Sequence, residues 1–183
     1  MNNEMAKNTN KMTKKDLNVI KMINEKEIQD WLVEEGFFKE KIHDEQSIFH
    51  FIVNYPDNNI IDLIQPKGKG DMIVIGCATN ISPEHLDIIM KSSMDKKVEL
   101  IWNFKYTVNQ FLLDFQIQHP DNILQMFVIS STIYEDGLTK HNLISEIKKI
   151  FKAKLQCLLQ MEKIFNTEIS EKSVKHDDDR MFS

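Results

Sequence analysis

The chain predicts an α+β fold, a two-layer sandwich of helices on an antiparallel five-stranded sheet. Three observations predict it. An amphipathic stretch comes first, followed by three aromatic or β-branched runs joined by short turns. Ser-Pro-Glu at 82–84 then opens a central helical segment. Two more strand-like runs and one long periodic helix complete the order α-βββ-α-ββ-α.

Residues 1–23 are rich in Asn and Lys with little to bury, which predicts a disordered or weakly helical extension. A single α+β domain is expected over 24–165. It opens at Asn24, placed with Glu27 as a capping box, and Ile28, Trp31 and Leu32 form an apolar stripe behind them. Gly36 suits a left-handed helix end, and Phe37 and Phe38 are expected to anchor that end on the core.

The run IFHFIVNY (48–55) is the first strand, ended by the turn Pro56-Asp57-Asn58-Asn59. The second covers 60–65 and the third 72–78, with Lys67-Gly68-Lys69-Gly70 as the hairpin between them. Pro83 fits the first helical position, Glu84 adds charge at the positive end of the helix dipole, and a second helix start is expected at Ser92 with Asp95. The stretch 113–118 alternates Leu113, Phe115 and Ile117 with polar residues, as a strand with one wet face does. The fifth strand covers 123–134. Thr139 then caps a helix whose stripe is Leu143, Ile147, Ile150, Phe151, Leu155, Leu158 and Phe165. From 166 to 183 the chain turns polar and predicts a disordered tail.

Composition narrows the function classes. The 183 residues are 42% hydrophobic and 28% charged, enough to bury a core, and the formal net charge is -5. A field of that sign repels phosphate backbones and disfavours nucleic-acid binding. The two cysteines, Cys77 and Cys157, lack metal-ligand spacing and read as reduced, separately packed thiols. No apolar run suits a secretory signal or a bilayer span, so a cytoplasmic protein without membrane contact is expected.

The strands carry apolar residues on both faces. Ile48 and Ile52 oppose Phe49, Phe51, Val53 and Tyr55, and Met72 and Val74 oppose Ile73, Ile75 and Cys77. One helical layer covers one sheet face, so the other needs a cover: the last helix wrapping round, a second copy, or a segment of another protein. The expected partners are therefore the chain itself and a client segment.

His50, Asp62 and His85 form the one polar set that suits a catalytic or metal site. Two imidazoles and a carboxylate within about 4–6 Å would share a proton or hold a divalent ion. The plainer reading is a part-buried strand histidine, an aspartate bonded to backbone, and a solvent-facing His85. The Lys67-Gly68-Lys69-Gly70 loop superficially suits phosphate, but it lies between strands and lacks the GxxxxGK[ST] spacing. Ser130, Ser131 and Cys157 have no nucleophile context, and Trp31 and Trp102 fall on apolar stripes expected in the core. No cofactor is expected.

The strings HFIVNYP, IIDLIQPKGKGDMIVIG, NISPEHLDII and IYEDGLTKHNLISEIKKIFKAKL resemble an archaeal family catalogued as domain of unknown function 2299. The resemblance spans roughly 25–165 and supplies a fold and an origin, with no activity to carry over. The element order is also similar to the type III secretion chaperone-like fold. That resemblance implies a small acidic homodimer holding extended client segments, although function does not follow from fold.

Overall fold

The computed structural model describes residues 23–165. The extension expected over 1–23, apart from Ile23, and the tail expected over 166–183 lie outside the described residues. The elements are α1 (Glu25–Glu34), β1 (Phe38–Ile42), β2 (Ser47–Asn54), β3 (Ile60–Pro66), β4 (Met72–Asn80), α2 (Pro83–Lys91), α3 (Met94–Gln110), β5 (Asp114–Gln118), β6 (Met126–Tyr134) and α4 (Lys140–Phe165). Short 3-10 turns sit at Pro120–Asn122 and Glu135–Gly137.

The sheet has six antiparallel strands, not the expected five, in the order β1-β2-β3-β4-β6-β5. The additional strand is β1. Its sequence FKEKI places three exposed charged residues in a row, so it lacks the alternation that marks a strand. Charge suits its position, because an edge strand offers unpaired backbone groups and charged side chains discourage further pairing there.

The central segment is two helices rather than one. Ser82 caps α2 by accepting the His85 N–H, with Pro83 at the first helical position. Ser93, not Ser92, caps α3, while Ser92 turns its hydroxyl back to the Ile88 carbonyl at 2.8 Å. Asn24 and Thr139 cap α1 and α4 through the Glu27 and Asn142 N–H groups. Lys140 at the start of α4 reaches Glu34 and Glu35 at the end of α1, and it holds the Glu35 carboxyl below its ordinary range.

The core lies between one sheet face and the helices. Period-two alternation sends Phe49, Phe51 and Val53, Ile61 and Leu63, Ile73 and Ile75, and Phe127 and Ile129 to that face, all buried. Leu143, Ile147, Ile150, Ala153, Cys157 and Met161 of α4 meet them. The Phe104 ring of α3 lies 4.9 Å from the Phe127 ring, and Thr107 donates to Gln160 at 2.9 Å to fix α3 against α4. Leu155, expected on the inward stripe, is 38% exposed because it stands roughly 200° round the helix from both Ala153 and Cys157.

Both cysteines are free and buried. Burial pushes the Cys157 thiol up to about 12 and raises Cys77 as well, which leaves little thiolate at neutral pH. Among the described residues, no helix is long and apolar enough to cross a membrane.

Four non-glycine residues hold positive φ, and Leu112 is the one among them that is neither Asn nor Asp, the types that tolerate it. Leu112, just past α3, holds φ at 54° with its side chain 86% exposed. A left-handed L-residue costs about 1–2 kcal/mol, and glycine there would lose about 0.5–1 kcal/mol more chain entropy on folding. Leu112→Gly is therefore expected to stabilise the fold by about 0.5–1 kcal/mol in urea unfolding. Destabilisation would show that the side chain makes a contact worth more than the strain.

Candidate functional site

The side of the sheet away from the helices forms a continuous surface. Two cross-strand rows define its centre. One runs Ile42, His50, Ile64, Val74, Thr132 across β1, β2, β3, β4 and β6. The next runs Glu40, Ile52, Asp62, Gly76, Ser130, Asp114 across all six strands. Ile48, Ile60 and Tyr134 flank them at 51%, 37% and 57% exposure. On β2, β3 and β4 the inward neighbours of these residues are buried, while the open-face residues keep part of their surface in water. Gly76 sits in a tight place: a Cβ there would stand 3.1 Å from the Ile129 carbonyl oxygen and 3.3 Å from the Ser130 Cβ, so either neighbour would have to give by a few tenths of an ångström. The row is consequently shallow between Asp62 and Ser130.

The structure brings two of the three expected site residues together on this face. Ile52 pairs with Asp62 and His50 with Ile64, so His50 and Asp62 are diagonal neighbours. His50 Nε2 lies 2.8 Å from Asp62 Oδ1. On the other side of the ring, Nδ1 stands 3.4 Å from Asp44 Oδ2, within reach of a charge contact but not aligned as a hydrogen bond.

Asp44 belongs to the turn between β1 and β2, a residue that pattern reading passed over. Its Oδ1 accepts the Gln46 N–H at 2.9 Å, an aspartate turn that the spacing Asp44-x-Gln46 is able to signal. That N–H bond, then Ser47 and His50, hold the Asp44 carboxyl below its ordinary value.

His85 does not join the pair. It opens α2, with Nδ1 2.9 Å from Ser82 Oγ, and its helix packs Ile89 into the core. Val74, which is in register with His50 through Ile64, lies six residues before the end of β4, roughly 20 Å along the strand. No hydrogen bond or ion pair links His85 to His50 or Asp62 among the described residues. Nor does any group of three or more His, Cys, Asp or Glu side chains among them converge to hold a metal ion.

A cleft of about 650 Å³ lies beside the trio, lined in part by Lys41, His43, Asp44, Ser47, Ile48 and Lys67. The loop Lys67-Gly68-Lys69-Gly70 is the hairpin turn expected, with Gly68 at φ 80°. Ser130 pairs within the sheet opposite Gly76 and Asp114.

A second apolar surface runs along α3, where sequence reading expected core packing. Trp102 and Tyr106 are 51% and 61% exposed, with ring centroids 5.8 Å apart and Lys105 Nζ 5.0 Å from the Trp102 ring. Phe104 and Val108 set the inward stripe, and Trp102 and Tyr106 lie roughly 200° away from them. That offset is visible once Leu100, Phe104 and Val108 are aligned at four-residue spacing.

Comparison with known proteins gives a family and a fold. Residues 24–161 match the family model described as uncharacterized conserved protein (DUF2299). A crystal structure of an uncharacterized protein from Methanothermobacter thermautotrophicus is 47% identical, with a TM-score of 0.74 over 76% of this chain and 97% of that one. YbjN from E. coli has a similar fold at 10% identity, with a TM-score of 0.50 over 76% of this chain and 95% of its own. No curated protein matches the chain.

The Asp44 turn makes a measurable claim. Because its carboxyl is held low in the folded chain, its contribution to stability is present above the unfolded aspartate pKa and is lost as pH falls through the folded value. A carbon-detected NMR titration is expected to place Asp44 below ordinary aspartates, and Ser47→Ala to move it up. A midpoint at the ordinary value would mean that the Gln46 and Ser47 contacts do not form in solution.

Proposed function

From the premise that the chain belongs to the uncharacterized conserved protein family DUF2299, we propose a non-enzymatic, chaperone-like or adaptor protein of the cytoplasm. In this reading it self-associates as a homodimer and holds segments of other proteins. The observation that carries the reading is the open sheet face, where Ile52, Ile64 and Val74 lie in adjacent rows with no helix over them among the described residues. With the exposed Ile48, Ile60 and Tyr134 beside them they form a contiguous partly exposed apolar surface, the kind that marks interaction sites in soluble proteins. The α3 surface around Trp102 and Tyr106 is separate from it. Two apolar areas suit one contact between copies and one with a client.

The alternative, a metal-dependent or acid–base enzyme using His50, Asp62 and His85, is favoured by one observation, the 2.8 Å contact between His50 and Asp62. It is weakened by the placement of His85 and by Asp44 standing against the only free ring nitrogen.

Light scattering behind size-exclusion chromatography is expected to give twice the chain mass. A hydrophobic dye is expected to fluoresce on the wild-type protein and to lose most of that signal in Val74→Lys, with the melting temperature little changed. A monomer that ignores the dye would overturn the reading.

A further inference from the structure

We propose that the open sheet face receives a basic apolar polypeptide segment, one that interleaves Lys or Arg with leucine-like side chains. The inference rests on the protein-binding reading above and names the chemistry of the partner.

Charge complementarity selects that partner. The second cross-strand row carries three carboxylates, Glu40, Asp62 and Asp114, with Ile52, Gly76 and Ser130 between them. No paired position on that face holds Lys or Arg among the described residues. Asp44 stands beside the Nδ1 of His50 at the end of the face where Lys41 and Lys67 line the cleft, so the complementarity rests on the row of Glu40, Asp62 and Asp114 itself. A partner must bring donors and positive charge to satisfy this face while covering Ile52, Ile64 and Val74.

The spacing fits a helix laid across the strands. Glu40 and Asp62 are two strands apart, roughly 10 Å, and Asp62 and Asp114 three strands, roughly 14 Å. Cations seven and nine or ten residues apart on one helix face span those distances, at about 1.5 Å per residue. The shallow place at Gly76 and Ser130 lets the partner backbone come close at mid-row.

A second copy is a poor occupant of the same face. Two such faces brought together would set acidic row against acidic row, in a chain whose net charge is -5. The same sign disfavours phosphate backbones and anionic lipid.

The test uses fluorescence anisotropy with the full chain and two labelled peptides. One is three LKKLLKL heptads, long enough to span from Glu40 to Asp114, and the other three LEELLEL heptads. The lysine peptide is expected to bind, more weakly as salt rises, and the glutamate peptide not to bind. The double variant Glu40→Gln with Asp114→Asn leaves the His50–Asp62 contact intact and is expected to weaken binding by about fivefold.

Equal binding of both peptides, or an unchanged affinity in the double variant, would overturn the inference. If Val74→Lys abolishes binding while the double variant does not, the face still docks protein and only the basic chemistry fails. If neither variant matters, the protein-binding reading of this face fails with it. A dimer that Val74→Lys dissociates, with no peptide bound, would assign the face to a second copy and overturn the proposal.

Discussion

The structure depends on a geometric constraint: successive side chains of a strand point to opposite faces, and one layer of helices covers one of them. Phe51, Leu63, Ile75 and Ile129 take the covered side and are fully buried, so their sequence neighbours Ile52, Ile64, Val74 and Val128 must take the other. Burying one large apolar side chain contributes about 1.5–3 kcal/mol, and the inward set supplies many of these. The outward set supplies little until something covers it. Stability and binding surface are thus two consequences of one alternation.

The polar residues on the open face modify that surface. His50 takes Asp62 on one side and Asp44 on the other, tying the β1–β2 turn to β3. The His50 side chain is only 12% exposed, so the three side chains fix the turn against β3 and at the same time add carboxylates to the field of the open face. With Glu40 and Asp114 in the neighbouring row, the face combines aliphatic contact area with a negative potential. Apolar area without charge would accept many partners. The carboxylates narrow the choice by repelling acidic ones.

Most of the architecture was legible because local chemistry agreed with the global fold. Asn24, Ser82-Pro83 and Thr139 are helix starts by residue type alone, and the aliphatic runs of β2, β3, β4 and β6 leave no other reading. What escaped was set by context. The strand β1 has charges where a core strand has aliphatics, because it pairs on one edge only. Trp102 sits on the exposed side of α3, since the rotation of a helix about its axis follows its deepest residues, here Phe104 and Val108, rather than its largest. The pairing of His50 with Asp62 follows from the hairpin register, which was readable. The separation of His85 follows from the path of the chain after β4, which was not.

The most direct measurement of the central claim is a solvent paramagnetic relaxation experiment on methyl-labelled protein, followed through a dilution series. A soluble probe is expected to broaden the methyls of Ile52, Ile64 and Val74 in the dilute chain and to spare those of Leu63 and Ile75. If the open-face methyls were as shielded as the core methyls in a dilute monomer, the face would already be covered and the account would be wrong.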